Sequence, residues 1–258
     1  MRDIQKEPDN RNIPINKVGV KGLKYPIIVL DRQNGTQSTV ARVNMYVDLP
    51  HTLKGTHMSR FVEILNRHHG RISIRNMKNI LEEMKQSLNA ECSHISFEFP
   101  YFIEKEAPVS GAKGLMEYTA EFIGNITNSS PMDFVLGVKI PVTTVCPCSR
   151  EISDEGAHNQ RSIITIKVRF RKIVWIEDLI DIAENASSSP IYSIIKREDE
   201  KYVTESAYNK PRFVEDVVRG VAEVLIADDN ISWFTVESEN YESIHNHSAY
   251  AFIEHSKV

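Results

Sequence analysis

Stretches in which apolar and polar residues alternate recur along this chain in pairs, and segments with helical spacing stand between the pairs. In 38–49, alternate residues are apolar, the period of a strand with one buried face. In 73–90 the apolar residues follow the spacing of an amphipathic helix. The predicted strands are 25–30, 38–49, 94–103, 115–126, 132–144, 162–170, 231–239 and 247–255. The predicted helices are 58–69, 73–90, 176–187 and 211–227, the last with Pro211 in its first turn.

The order strand, strand, helix, helix, strand, strand therefore occurs twice. This order predicts an α+β fold of two tandem ββααββ modules, with antiparallel sheets and helices on one face. We expect a mobile tail over 1–15, a first module over 16–130 and a second over 131–258. A sheet covered on one side leaves a face and edges that association with further copies would bury, so we also expect a homo-oligomer.

Composition excludes several classes of partner. The net charge is -4, from 31 basic and 35 acidic residues, which gives no general attraction to nucleic acid or to anionic membranes. The first dozen residues are polar where a secretory signal needs an apolar run, and no stretch approaches the roughly 18 apolar residues of a membrane helix. We expect a cytoplasmic protein whose three cysteines stay reduced.

The segment CPCSREISDEGAHNQRS, residues 146–162, concentrates metal-binding side chains. Cys146 and Cys148 are predicted to point to one side at a strand end, and His158 returns beside them just before the next strand. A structural zinc site would need four protein ligands, and a redox pair usually has the spacing C-x-x-C. A catalytic metal site needs about three mixed ligands and an open position. Inert buried thiols remain the alternative.

Four further stretches carry candidate residues, each with a simpler interpretation. His245 and His247 are predicted on one face at the start of the last strand, or are ordinary turn histidines. KREDEKYVTE (196–205) has the charge of a solvated loop. Glu215 either complements a helix dipole or binds a ligand. KGTHMSR (54–60) is either an anion site or an ordinary helix cap.

Taken together, these stretches resemble the GTP cyclohydrolase IB family, an alternative first enzyme of folate synthesis. The resemblance runs from NIPINKVGVKGLKYP (12–26) to HNHSAYAFIE (245–254), nearly the whole chain. Its motifs are GTQSTVAR, KGTHMSRF, APVSG, CPCSREIS, GAHNQRS, DEKYVTE, NKPRFVED and ESIHNHSAYA. It implies the tunnelling fold, assembled as a homotetrameric barrel with active sites between subunits. It also implies the conversion of GTP and water to 7,8-dihydroneopterin triphosphate and formate.

The resemblance assigns roles to residues that match its motifs. Cys146, His158 and Glu200 are implied as ligands of one divalent ion per site, zinc, manganese or iron(II). Cys148 is implied as a neighbouring or substrate-facing thiol, with its role exchangeable with that of Cys146. The resemblance also implies roles for the other candidates: His245 or His247 as proton donor to N7 of guanine, Glu215 as the carboxylate that accepts from N1 and N2, and Lys54, His57, Arg60, Arg150 and Arg161 around the nucleotide.

Two other functions use the same residues. A tunnelling-fold reductase would attack a nitrile-bearing deazaguanine with a cysteine thiolate, consume NADPH and need no metal. A metal-storage module would enclose the ion in protein ligands and bind no nucleotide. The response of activity to a chelator and the affinity for GTP separate these functions from the hydrolase.

Overall fold

The structure is a computed structural model that describes residue 5 and residues 7–68 and 70–257, with the side chains of Arg71 and Arg75 left out. It divides into two compact units. The first contains the chain up to Pro100 together with Glu121–Val135, and the second contains Tyr101–Ala120 together with Leu136–Val258. Residues 1–4 and 6 of the expected mobile tail lie outside the described residues, whereas the carbonyl groups of Gln5 and Glu7 accept bonds from Gly55 and Lys54.

The first unit is a sheet with two helices. Its strands are β1 (Ile15–Asp31), β2 (Gly35–Leu49), β3 (Gly70–Arg71), β4 (Cys92–Glu106) and β5 (Lys113–Thr127). Parts of β4 and β5 belong to the second unit. Their order is β3, β1, β2, β4, β5, and β1–β2 and β2–β4 pair antiparallel. The helices are α1 (Met58–Arg67) and α2 (Ile74–Leu88). The predicted β1–β2 hairpin is confirmed.

Alternation along β2 produces the core of this unit. Val43, Met45 and Val47 are fully buried or nearly so, while the residues between them are less buried. α2 begins at Ile74, and the hydroxyl of its N-cap residue Ser73 accepts from the amide of Asn76. The apolar side of α2 is buried. A β-carbon at Gly124 of β5 would come within 3.0 Å of Leu81 and Met77, so the bare glycine backbone permits close packing of α2.

The second unit repeats the sheet with more helices. Its further strands are β6 (Asp133–Val145), β7 (Asn159–Phe170), β8 (Ser189–Pro190), β9 (Ile231–Asn240) and β10 (Ala249–Ser256). Their order from the edge is β10, β9, β7, β6, β5, and β8 pairs with β6. The helices are α3 (Pro147–Ile152), α4 (Ile176–Ala186), α5 (Arg197–Asn209) and α6 (Val214–Ala227). α6 packs on β9 and on α4 with its buried valines.

A buried ion pair joins a strand to a helix in this unit. The Lys105 ammonium group lies 2.6 Å from Oε1 of Glu184 on α4, and the Tyr118 hydroxyl donates to the same oxygen at 2.8 Å. Burial lowers the pKa of Lys105, an effect that Glu184 opposes. The same burial, with the negative charge of Glu184, raises the pKa of Tyr118.

Three sequence expectations are wrong. KREDEKYVTE is not a loop, because residues from Arg197 onward form α5, whose first turn is fixed by Asp199. The strand end does not extend to Cys148, because Pro147 occupies the first position of α3, where its missing N–H costs no hydrogen bond. Pro211 lies before its helix, since α6 begins at Val214 with Phe213 as its N-cap.

The antiparallel α+β arrangement itself is confirmed. None of the helices in the described ranges is long and apolar enough to span a membrane.

Candidate active site

The two ends of the loop between β6 and β7 are held together by hydrogen bonds. The amide of Cys146 donates to the carbonyl oxygen of His158 at 3.1 Å, directly beyond the last paired residues of the two strands. Ser149 adds two contacts: its amide donates to the Cys146 sulfur at 3.4 Å, and its hydroxyl accepts from the His158 amide at 3.1 Å. A thiol and an imidazole, both half-buried, are therefore fixed at one place.

The two cysteines differ in their setting. Cys146 is the N-cap of α3, whereas Cys148 lies inside this short helix and is exposed. The expectation that both thiols project from one side of a strand end is therefore wrong. The physical reason is that the chain turns into a helix immediately after Cys146, which replaces the strand period of two with the helical repeat.

The ring of His158 has a defined hydrogen-bond partner. Its Nδ1 lies 3.0 Å from Oε1 of Gln160, whose Nε2 donates to the Thr144 hydroxyl at 2.8 Å. The Ser243 hydroxyl lies 3.4 Å from the same Nδ1 on the exposed side. A partner at Nδ1 directs Nε2 away from the buried sheet face, the orientation found in histidines that bind metals through Nε2.

The loop that carries the two other histidines runs beside His158. The Tyr241 amide donates to the carbonyl oxygen of Arg161 at 2.9 Å, which anchors the start of this loop on β7. The rings of His245 and His247 are exposed and stacked, with centroids 5.1 Å apart and planes inclined by 15°. They precede β10, which begins at Ala249, so their expected place on the strand is wrong although they do lie side by side.

Glu200 lies on the exposed side of α5. The first turn of this helix is fixed by the preceding residue, Asp199. The fully buried carboxylate of Asp199 accepts four hydrogen bonds: from the amides of Val109 and Ser110 at 2.8 Å, the Ser110 hydroxyl at 2.5 Å and the Lys196 amide at 2.7 Å. Burial raises the pKa of Asp199, but these bonds outweigh burial and hold the pKa well below its usual value.

The segment before α5 also fits tightly against β5. A β-carbon at Gly114 would lie 2.4 Å from the Ser193 hydroxyl oxygen and 3.0 Å from Ile194. The absence of a side chain at Gly114 therefore leaves room for the Ser193 and Ile194 side chains in their present positions.

Glu215 lies in the first turn of α6 and is exposed. The Arg212 amide donates to the Val145 carbonyl oxygen at 3.0 Å, which brings the segment before α6 to the end of β6, next to Cys146. Asp216, not Glu215, caps the helix by accepting from the Phe213 amide at 3.0 Å. The Glu215 carboxylate is therefore not used for capping.

The cations expected around the nucleotide have different environments. Arg161 is exposed on β7, and the Arg150 guanidinium group lies 4.8 Å from the ring centroid of Tyr208. In the first unit, Arg60 donates to the Ser87 carbonyl oxygen at 3.0 Å. Exposed Lys54 lies 3.8 Å from Glu7, and His57 is the N-cap of α1, without a side-chain capping bond.

The donor atoms fit a divalent ion in chemistry but are incompletely assembled. A half-buried thiol and an imidazole with a supported Nδ1 are the mixed ligands that zinc, manganese or iron(II) accept. Within the described part of the chain, however, no three His, Cys, Asp or Glu side chains are grouped closely enough to hold a metal ion. Cys146 and His158 are brought together, whereas Glu200 does not complete a group with them.

Sequence reasoning missed the residues that support the site. Thr144, Gln160 and Ser162 are buried polar residues on strands, and Ser149 and Asp199 fix the two loops. A signal was present for Thr144 and Ser162, because they stand at predicted strand positions where the alternation predicts apolar residues, whereas Gln160 lies before the predicted strand 162–170.

The chain is similar to known proteins over nearly its whole length. Residues 1–251 match the family described as type I GTP cyclohydrolase folE2. A GTP cyclohydrolase FolE2 of Geotalea uraniireducens (strain Rf4) is 61% identical over 257 residues, which cover 100% of this chain and 94% of that protein. The one from Pelobacter propionicus (strain DSM 2379 / NBRC 103807 / OttBd1) is 60% identical over 254 residues, covering 98% of each.

Solved structures share the fold at low identity. Urate oxidase from Bacillus sp. TB-90 superposes with a TM-score of 0.58 and 10% identity, over 94% of this chain and 100% of that chain. A uricase from Bacillus fastidious gives a TM-score of 0.57 and 8% identity, over 93% and 92% of the two chains. These likenesses support a tunnelling-fold-like α+β architecture.

The resemblance to type I GTP cyclohydrolases is confirmed, although the matching family carries the FolE2 designation and not the IB designation expected from the motifs. The chain belongs to the family of type I GTP cyclohydrolase FolE2.

Proposed function

We propose that this chain converts GTP and water into 7,8-dihydroneopterin triphosphate and formate, the first step of pterin and tetrahydrofolate synthesis, at the ends of β6 and β7. Family membership supports the reaction. The observation that carries its location is the hydrogen bond from the Cys146 amide to the His158 carbonyl oxygen, which keeps a thiol and an imidazole together at the mouth of one loop.

Cys146, His158 and Glu200 are the proposed ligands of one divalent ion. Such an ion, when bound, supplies the acidity that makes water nucleophilic near neutral pH. Glu200 is proposed because it is an exposed carboxylate on a helix whose first turn is fixed by Asp199. Cys148 is proposed as a neighbouring thiol that faces substrate.

The other proposed roles concern the nucleotide. Glu215 accepts from N1 and N2 of guanine, a contact that adenine cannot make. His245 or His247 donates a proton to N7, which makes C8 more electrophilic, and transfers protons in the later ring-opening steps. Arg161 and Arg150, and in the first unit Lys54, His57 and Arg60, are the proposed contacts of the triphosphate.

We further propose that the chain consists of two tandem ββααββ modules, 16–130 and 131–258, and works in the cytoplasm as a homotetramer with active sites between subunits. The order of strands in the sheet supports the modular interpretation, although the compact units divide the chain differently and place Tyr101–Ala120 with Leu136–Val258. β10 supports assembly, because it is an edge strand on which Tyr250 and Phe252 are exposed.

Metal removal and replacement test the proposal. Protein purified without oxygen is stripped with a chelator, reloaded separately with Zn²⁺, Mn²⁺ and Fe²⁺, and given GTP. We expect formate and a product that fluoresces after oxidation only after reloading. Failure with all three metals would overturn the hydrolase. Consumption of NADPH by the stripped protein on a nitrile-bearing deazaguanine would indicate the reductase.

The ligand set is tested by metal content. Glu200→Gln is expected to lose bound metal together with activity, whereas Glu205→Gln on the same helix keeps both. Glu205 is the matched control because it is an exposed carboxylate, 3.8 Å from the Lys201 ammonium group. Unchanged metal content in Glu200→Gln would exclude Glu200 as a ligand.

A further inference from the structure

A chain of buried polar side chains runs from His158 into the sheet of the second unit. Nδ1 of His158 lies 3.0 Å from Oε1 of Gln160, and Gln160 Nε2 donates to the Thr144 hydroxyl at 2.8 Å. The Thr144 hydroxyl lies 2.8 Å from that of Ser162. Gln160 is 6% exposed and the two hydroxyl residues are 0% exposed, so solvent does not compete for these bonds.

These residues occupy positions that a sheet normally fills with apolar side chains. Gln160 and Ser162 lie on the same side of β7 as the fully buried Ile164 and Ile166. Burial of polar groups is unfavourable unless each finds a partner, so such a network on a core face needs a reason. The support that the network gives to half-buried His158, at its end, is such a reason.

On the neighbouring strand β9, two further buried polar residues stand beside this network without being hydrogen-bonded to it through the atoms named below. Asn240 stands opposite Ser162 in the β7–β9 pairing, and Ser238 opposite Ile164. Among the described residues, Oδ1 of Asn240 and the hydroxyl oxygen of Ser238 are buried without a hydrogen-bond partner. An unsatisfied buried polar atom costs about 1–3 kcal/mol, so the polar character of this face lowers stability. Residues chosen for stability alone would be apolar here.

We infer that Gln160 is a positioning residue that fixes the tautomer and the ring orientation of His158. A carbonyl oxygen only accepts hydrogen bonds, so Oε1 of Gln160 requires the hydrogen of the neutral imidazole on Nδ1 and leaves the lone pair on Nε2. Thr144 fixes the amide of Gln160 by accepting from its Nε2. This assignment rests on the proposed role of His158 as a metal ligand through Nε2.

Ser243 does not have the same effect. Its hydroxyl approaches Nδ1 at 3.4 Å from the exposed side, a long contact, and a hydroxyl group accepts as readily as it donates. It therefore selects neither tautomer. Ser243→Ala is the matched control, because it removes the other contact of the same ring nitrogen.

The first experiment reads the tautomer in metal-free protein. Nitrogen NMR of histidine-labelled protein, at one fixed pH where the ring is neutral, is expected to show hydrogen on Nδ1 of His158 in the native sequence and in Ser243→Ala. Gln160→Met, which removes both bonds at similar volume, and Thr144→Val, which frees the amide to turn, should shift the population toward hydrogen on Nε2. Gln160→Glu, whose carboxylate still accepts, should restore the native tautomer.

The second experiment measures the affinity for Zn²⁺ by competition with a chromophoric chelator. Gln160→Met is expected to bind about 10- to 100-fold more weakly, the usual effect of removing an outer-shell partner. Gln160→Glu and Ser243→Ala should stay within about threefold of the native protein, well below that effect. Amide spectra of β6 and β7 identify variants that fail to fold. If Gln160→Met does not fold, the tautomer and the Zn²⁺ affinity of Thr144→Val, a substitution of matched shape, test the inference instead.

Hydrogen on Nε2 of His158 in the native protein would overturn the inference. It would also be overturned if Gln160→Met kept the native His158 tautomer and the native affinity for Zn²⁺. Neither result depends on turnover. Native protein that binds Zn²⁺ with the expected tautomer but releases no formate from GTP would overturn the proposed function and leave the role of Gln160 standing.

Discussion

The amide of Cys146 donates to the carbonyl oxygen of His158 at 3.1 Å, so backbone bonding sets the separation of the two proposed ligands. The bond lies at the end of the β6–β7 ladder, where Val145 pairs with Asn159. Replacement of the Cys146 side chain leaves this backbone bond intact. Variants at this position therefore test the thiol while this backbone bond is kept, and the loop loses only the contact from the Ser149 amide to the Cys146 sulfur.

Cys146→Ala is expected to lose metal and GTP turnover together while remaining folded; compared with metal-free native protein, it should lose only the N-cap contact of α3, about 0.5–2 kcal/mol. The loss of affinity should exceed the about 10- to 100-fold typical of an outer-shell change. Metal analysis, formate release and thermal unfolding on one preparation provide the measurements. Cys92→Ala is the control, since burial raises the pKa of this thiol and it lies in the other unit. Metal retained by Cys146→Ala would exclude the thiol as a ligand.

Glu215→Gln should weaken GTP binding without removing the metal. A charge-assisted hydrogen bond contributes about 1.5–3 kcal/mol, which corresponds to an increase in KM of about 10- to 150-fold. Steady-state kinetics and metal content measure the two effects. Glu223→Gln, at an exposed position of the same helix, should leave KM unchanged. An unchanged KM in Glu215→Gln would contradict the role of Glu215 in base recognition.

Replacement of the histidine that donates to N7 should lower kcat by about 10²- to 10⁴-fold, the usual contribution of a general acid, with little change in KM. Single variants His245→Ala and His247→Ala identify which ring acts, because the two are stacked but separately replaceable. His51→Ala, an exposed histidine of the first unit, controls for unspecific effects. Full kcat in both single variants would show that neither ring alone is needed.

Asp199→Asn should lower the thermal unfolding midpoint at neutral pH. In acid, the midpoint of the variant should also change less with pH than the midpoint of the native protein. The pKa of Asp199 is lowered in the folded protein from its ordinary value of 3.8, so the charged form stabilises the fold above that pH. This contribution is lost as the pH falls from 3.8 toward the folded-state pKa. The gap in midpoint between native protein and variant should therefore narrow in that range.

Thermal unfolding across pH measures this gap. Glu198→Gln, an exposed carboxylate in the same helical turn, is the control and should give a small gap at every pH. A gap for Asp199→Asn that stays constant in acid would show that the carboxylate charge is not the source of the stabilisation.

Lys105→Met should lower the free energy of unfolding by about 3–5 kcal/mol, because it leaves the buried carboxylate of Glu184 without its cation. The double variant Lys105→Met/Glu184→Gln should recover most of this loss, since the amide still accepts from Tyr118 without carrying a charge. Denaturant unfolding measures both. A double variant as unstable as the single one would assign the loss to packing of the lysine side chain instead.

The strands could be predicted from sequence because burial on one face leaves a period of two that no other structure produces. β2 shows it from Ser38 to Leu49, and β7 shows it from Asn159 to Ile164. Their ends extend beyond the prediction, since strands continue as long as a neighbour pairs with them, and the pairing of β1 from Ile15 is not visible in local composition.

The helix α5 could not be predicted in the same way. Its charged sequence has few apolar residues, and only Asp199 and Ala207 are buried. The four bonds to the Asp199 carboxylate come from the distant Val109 and Ser110 and from Lys196, so three of them are tertiary. The candidate residues Cys146, His158 and Glu200 were found through whole motifs, whereas the support from Gln160 and Thr144 required knowledge of which strand faces are buried.

Gly114 limits how this protein can be altered. The Ser193 hydroxyl oxygen stands 2.4 Å from where its β-carbon would be, so even alanine would require the side chains of Ser193 and Ile194 to move. Random mutagenesis should consequently favour the smallest replacements at a site with no chemical task of its own, and attempts to graft the α5 carboxylate onto another scaffold must leave the same room beside β5.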